Sequence, residues 1–316
     1  MKIKPIILIA GEPKSIFFEI FFKAIKKNKY RSPLILICCK KKLIQEMKKN
    51  RFKKKIKVIQ TNDIKDIYVD NKTLNLIDIR LHNSNNKSRN EYIKTSFDIA
   101  IRLIKKGYTN KFINGPINKS SFLDKKYLGI TEYISSKFTK KNIGMLIYNK
   151  KLSVSPLTTH LPIKLVAKKI TKKLIEEKIQ TIHNFYETHL KIKAKIAVTG
   201  INPHCESILK FNEDEKIVKL AVKSKIKKGI NVKGPYPADT LFLKANRKKF
   251  NVILGMYHDQ VLTPMKTLFE YDAINITMGL SFFRISPDHG PNEKMINKNK
   301  SNPLSLIRAL NFLDNR

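Results

Sequence analysis

Three short segments hold residues whose types could do metal chemistry: Thr158-Thr-His160-Leu-Pro, Asn202-Pro-His204-Cys-Glu and Met256-Tyr-His258-Asp-Gln. Each sets one histidine just after, or at the end of, an apolar run that reads as a buried strand. The segments lie far apart in the chain, so only a fold could bring them together. Neutral imidazoles converging from separate strand ends form a divalent-metal site with positions left open for substrate. The chain has only seven histidines, and a fourth of them, His289, sits in the turn-like run Asp288-His-Gly290. A rigid proline-set segment, Gly234-Pro-Tyr-Pro-Ala-Asp239, presents Asp239. The residue is either a general base, a partner that orients a histidine, or the cap of a helix starting at Thr240.

Elements that could position these residues recur along the whole sequence. Apolar runs rich in branched residues predict strands at 6–10, 34–39, 56–60, 74–79, 112–114, 144–148, 152–157, 196–199, 252–256 and 274–278. Helical periodicity is clearest over 90–106, 213–227 and 301–312, the first two ending in lysines before a glycine. The stretches 83–87 and 292–302 read as loops. Strand and helix alternating from end to end mean an α/β fold. Asn275, within Ile-Asn-Ile, would be costly as an unpaired buried amide, so its position asks for a partner or a ligand.

Composition bounds the remaining possibilities. At 316 residues with 42% hydrophobic content, the chain can bury the core of one large or two ordinary domains. No apolar run reaches the ~20 residues of a membrane helix. The N-terminal apolar stretch is short and runs into Gly11-Glu-Pro13, which marks a first core strand rather than a signal peptide. Three cysteines, Cys38, Cys39 and Cys205, are too few for a disulfide framework, and a reducing cytoplasm fits them best. The net charge of +39 comes almost wholly from lysines spread along the chain. With arginine scarce and aromatics not interleaved, it reads as compositional drift at exposed positions rather than as a specific nucleic-acid surface.

These motifs together resemble the 4-hydroxythreonine-4-phosphate dehydrogenase family, which serves pyridoxal phosphate biosynthesis. The likeness runs in order through Gly11-Glu-Pro13, Gly115-Pro-Ile-Asn-Lys119, Thr131-Glu132, Thr159-His160, Asn202-Pro-His204, Gly234–Phe242, Tyr257–Gln260 and Asp288-His-Gly290. It implies two α/β/α domains with a cleft between them, similar to the isocitrate and isopropylmalate dehydrogenases. On that frame residues 1–118 plus 279–316 form the first domain, and 119–278 the second, with the metal-binding histidines and the dimer contacts. The resemblance makes His160, His204 and His258 the metal ligands, contributed by both subunits of a homodimer. Thr131, Lys266, Asn275 and Arg284 fall on substrate-binding positions. The implied reaction oxidises 4-phosphooxy-L-threonine with NAD or NADP and one divalent metal ion (Zn, Mg or Co). The resulting 3-oxo acid decarboxylates to 3-amino-2-oxopropyl phosphate. A dehydrogenase of another phosphorylated hydroxy acid, of the 4-phospho-threonate or erythronate type, is the alternative. A non-catalytic basic binding protein is a third reading.

The chain departs from the family pattern in three places. Where the family has Gly-Asp-Pro-Ala-Gly-Ile-Gly-Pro-Glu, this sequence reads Gly11-Glu-Pro-Lys-Ser-Ile-Phe-Phe-Glu19, with Ser15 and Phe17 in place of glycines that could take positive φ. Ile130 replaces a histidine expected to contact substrate. The segment 291–297 lacks the usual glycine, and Lys294 stands where an acidic residue is expected.

Overall fold

A computed structural model describes residues 3–61, 68–82, 85–118, 127, 130–138, 142–208 and 210–316. Of the segments singled out above, Lys119 and residues 83–84 lie outside the described residues. The chain divides into two compact units: Met1–Tyr133 with Tyr271–Ile274 and Ser281–Arg316, and Ile134–Glu270 with Asn275–Leu280.

In the first unit, β1 (Ile6–Ile9), β2 (Leu34–Cys38), β3 (Ile56–Val58), β4 (Leu74–Asp78), β5 (Lys111–Asn114) and β12 (Phe283–Pro287) lie in the order β3-β4-β2-β1-β5-β12. Every neighbouring pair is parallel. β1 is buried along its whole length, as a strand covered on both faces must be. Helix Asn86–Lys105 packs on β1 and β2, and helix Leu304–Asp314 on β12 and β1. The first of these starts four residues earlier than its apolar periodicity suggests. The Asn85 side chain accepts a hydrogen bond from the Ser88 N–H and so caps the polar first turn.

In the second unit, β6 (Gly144–Tyr148), β7 (Ser153–Pro156), β8 (Ile196–Thr199), β9 (Val232–Tyr236), β10 (Val252–Gly255) and β11 (Ile274–Met278) follow the order β11-β6-β7-β10-β8-β9. β7, β10, β8 and β9 run parallel, while β6 pairs with β7 antiparallel. The loops that follow four neighbouring parallel strands therefore leave from one edge of this sheet. That is where α/β sheets place their ligands. All three cysteines are free thiols. Among the described residues, no helix is long and apolar enough to cross a membrane.

Candidate active site

The strand order decides which chemical residues meet. His160 follows β7, His258 follows β10, His204 follows β8 and Asp239 follows β9, so four adjacent parallel strands deliver them to one sheet edge. The His160 and His258 rings lie 5.7 Å apart between centroids and tilt by 36°. The turn bearing His160 is tied to its neighbour twice. The Leu157 N–H donates to the Gly255 carbonyl at 2.8 Å, and the Thr158 hydroxyl to the Met256 carbonyl at 2.9 Å. His258 opens helix His258–Phe269, and its Nδ1 lies 2.7 Å from an Asp259 carboxylate oxygen. That contact leaves Nε2 as the ring nitrogen for a metal and holds the ring in orientation.

His204 sits in a short 3-10 turn, Pro203–Cys205, with φ of 54°. Left-handed backbone costs a residue with a Cβ ~1–2 kcal/mol, so the surroundings must hold it there. Its side chain is exposed. Among the described residues, no three His, Cys, Asp or Glu side chains of this chain form a metal-holding group. The chain itself brings together two of the three histidines. Two imidazoles at this spacing, with an exposed third on the next loop, are a donor set that suits a divalent ion.

Asp239 is exposed in the first turn of helix Ala238–Leu241, whose N-cap is Pro237. The helix does not start at Thr240, so Asp239 is not its cap. Lys266 lies on helix His258–Phe269, half-buried, and burial pushes its ammonium below an ordinary lysine's 10.5. Asn275, on β11, has a buried Oδ1 with no hydrogen-bond partner among the described residues, the condition under which a ligand is expected. Arg284, on β12, is 2% exposed, and its guanidinium donates to the Thr131 hydroxyl at 3.4 Å. Arg284 and Thr131 are thus joined, though they come from distant parts of the first unit's sequence.

The departures from the family pattern are absorbed by packing. Ser15 and Phe17 are not among the positive-φ residues, although Gly11 keeps φ of 74°. The expected backbone strain is therefore absent, because the chain enters helix Phe17–Lys27 directly at Phe17. The Ser15 hydroxyl donates to the Glu12 carbonyl and accepts from the Phe17 N–H. Phe17 is fully buried, and a Cβ on Gly115 would lie 2.7 Å from its ring. Ile130 is 7% exposed, a core residue at the start of helix Ile130–Ser136. In the segment 291–297, Asn292 and Asn297 take the left-handed positions, with φ of 51° and 66°. His289 is held structurally: its Nε2 contacts the Asn302 carbonyl at 2.7 Å, and its ring stacks on Tyr271.

Sequence reasoning missed several polar residues that shape these loops. Glu12, 1% exposed, pairs with Arg89 at 3.1 Å. Burial raises its carboxyl above the ordinary value, against the opposing pull of Arg89. Asp214, fully buried, accepts hydrogen bonds from the backbone N–H groups of Ile201 and Asn202, just before His204. Acidic residues opening the 213–227 helix were visible in the sequence, but nothing there linked Asp214 to that turn. In the first unit, a cavity of about 390 Å³ is lined by Ser15, Glu19, Lys49, Arg51, Asn297 and Asn299, among others.

The fold and the sequence place the chain among dehydrogenases, as the solved structures and curated relatives it resembles are named. A 4-hydroxythreonine-4-phosphate dehydrogenase from Klebsiella pneumoniae superposes with a TM-score of 0.84 at 26% identity, covering 98% of each chain. The profile of the family described as "Pyridoxal phosphate biosynthetic protein PdxA" matches residues 31–313, and the chain belongs to that family. A 4-hydroxythreonine-4-phosphate dehydrogenase of Sulfurihydrogenibium sp. (strain YO3AOP1) is 34% identical over 310 residues, 95% of this chain and 94% of the relative. A D-threonate 4-phosphate dehydrogenase of Salmonella typhimurium is 28% identical, covering 92% of each chain.

Proposed function

We propose that this protein oxidises 4-phosphooxy-L-threonine to its 3-oxo acid, which decarboxylates to 3-amino-2-oxopropyl phosphate in pyridoxal 5′-phosphate biosynthesis. The observation that carries this reading is the pairing of His160 with His258 at the edge that also presents His204 and Asp239. When bound, a divalent ion would supply Lewis acidity toward the substrate hydroxyl and the ketone it becomes, and NAD or NADP would accept the hydride.

The chain's own residues do the rest. Arg284 presents a planar, permanently charged fork to a carboxylate or phosphate, and Thr131 fixes the orientation of that fork. In the second unit Lys266 offers a cation, and the Asn275 Oδ1, without a partner among the described residues, would accept a hydrogen bond from a substrate hydroxyl or amine. Asp239 is placed to take up the hydroxyl proton or to steady a histidine.

A second copy of the chain would supply the remaining ligand. Exposed apolar residues follow the site segments closely: Ile163 and Leu165 after His160, Ile208 and Phe211 after His204, and Leu243 after Asp239. Apolar surface gathered around a half-built site is what a homodimer would cover. The cytoplasm is the proposed compartment, in keeping with the three free thiols.

The test is NADH formation from 4-phosphooxy-L-threonine by the purified protein with a divalent ion present. Metal-dependent NADH supports the reading; its absence at high enzyme concentration overturns it.

A further inference from the structure

Gln260 lies in the first turn of helix His258–Phe269, and its side-chain amide bonds backbone and hydroxyl groups at strand ends. Its Oε1 accepts from the Met256 N–H and from the Thr199 hydroxyl, both at 2.7 Å. Its Nε2 donates to the Gly200 carbonyl, also at 2.7 Å. The orientation of the amide is unambiguous, because a backbone N–H can only donate and a carbonyl can only accept.

Met256 leads directly into His258, and Thr199 and Gly200 lead into the turn of His204. One side chain therefore locks the two histidine-bearing loops to each other. The far side of the His204 loop is held by Asp214, through the Ile201 and Asn202 N–H groups at 2.8 and 3.0 Å. A Cβ on Gly200 would meet Cys205 Sγ at 2.6 Å and Asp214 Oδ1 at 2.8 Å, so the loop has no slack at that point. His204 and Cys205 both sit at positive φ, a conformation that persists only when its neighbours enforce it.

We infer that Gln260 is a positioning residue, which holds the His258 turn and the His204 turn each in place and so tunes the protein's affinity for its divalent ion. This rests on the histidines being metal ligands. Gln260 touches neither ring; it acts through the backbones that carry them. Removing partners that orient metal ligands typically weakens binding by roughly 10- to 100-fold.

The test compares the full-length wild type with Gln260→Glu, which keeps the shape and the acceptors but sets an oxygen where Nε2 donated to Gly200. Zinc affinity is measured by chelator competition, ligand geometry by the visible spectrum of the cobalt-loaded protein, and folding by circular dichroism and melting of the metal-free protein. The inference expects zinc binding weakened about 10-fold or more and an altered cobalt spectrum, with the metal-free protein still folded. A folded variant with wild-type zinc affinity and an unchanged spectrum overturns it. A wild type that takes up neither ion overturns the metal reading, and this inference with it. Should Gln260→Glu fail to fold, Thr199→Val removes one of the three bonds at almost constant shape. An about 2- to 10-fold loss of zinc affinity is then expected, and none contradicts the proposal.

Discussion

The loops at the strand ends of the two units are closed by different forces. In the first unit, the turn after β1 is sealed by apolar packing: Phe17 is buried against Gly115, Phe18 and Phe21, with Ile16 beside it. In the second, the turns after β7, β8 and β10 are sealed by directed hydrogen bonds from Thr158, Thr199, Gln260 and Asp214. Packing accepts any apolar group of suitable volume, whereas a hydrogen-bonded turn needs a given donor or acceptor at a given place. The departures from the family pattern fall on the side that can absorb them. Ser15, Phe17 and Ile130 belong to the first unit, and the histidine turns of the second keep their motif residues.

The comparison is broken most severely at the histidines. His258→Ala and His160→Ala should each reduce turnover to the level of the metal-free protein while circular dichroism stays native. Steady-state NADH formation with and without chelator reads this directly.

Next in size is Arg284→Lys. Lysine keeps the charge but loses the planar fork held by Thr131, so kcat/KM should fall by about 10- to 100-fold, chiefly through weaker substrate binding. A variant with unchanged kinetics would remove Arg284 from the substrate set.

Ile130→His restores the family's residue at a site now packed into the core. The structure predicts a loss of stability of about 1–3 kcal/mol from the buried imidazole, with no gain in turnover. Chemical denaturation and kcat/KM together check this. Faster turnover in a stable variant would show that position 130 still meets the substrate.

The smallest effect is one of pH. Burial lowers the Lys266 pKa from 10.5, so the lysine loses its charge at a lower pH than an exposed one. If it pairs with an anionic substrate group, KM should begin to rise on the alkaline side before 10.5, and Lys266→Gln should flatten that limb. The stability linkage has the opposite sense. The unfolded chain binds this proton more tightly, so the charged, buried lysine weakens the folded state at neutral pH. That penalty is relieved as pH rises through the window between the lowered value and 10.5. Urea titrations at neutral and alkaline pH, compared with Lys266→Gln, separate the two.

Much of this was legible in the sequence, for physical reasons. β1, β2 and β10 are almost wholly apolar runs, and the buried strands of a parallel sheet leave that mark. β9 and β12 did not stand out, since Gly234-Pro235 interrupts one and Arg284 and Ser286 the other. The residues of the candidate site were visible through their types and motifs. Their supports were not, because Gln260 and Asp214 act on backbone groups that only the fold brings within reach. The proposed third metal ligand shows the same limit, since the sequence of one chain does not say whether a second copy would contribute to the site. Asn275 between two isoleucines called for a partner or a ligand on energetic grounds, and among the described residues its buried Oδ1 has no protein partner, which leaves the ligand as the open alternative.

The most direct test of the account is a side-by-side turnover assay. 4-Phosphooxy-L-threonine and D-threonate 4-phosphate are each offered with NAD, with and without a divalent ion. The account predicts metal-dependent NADH from the amino acid, with a higher kcat/KM than from the threonate. NADH from neither substrate, or turnover indifferent to chelator, would contradict it.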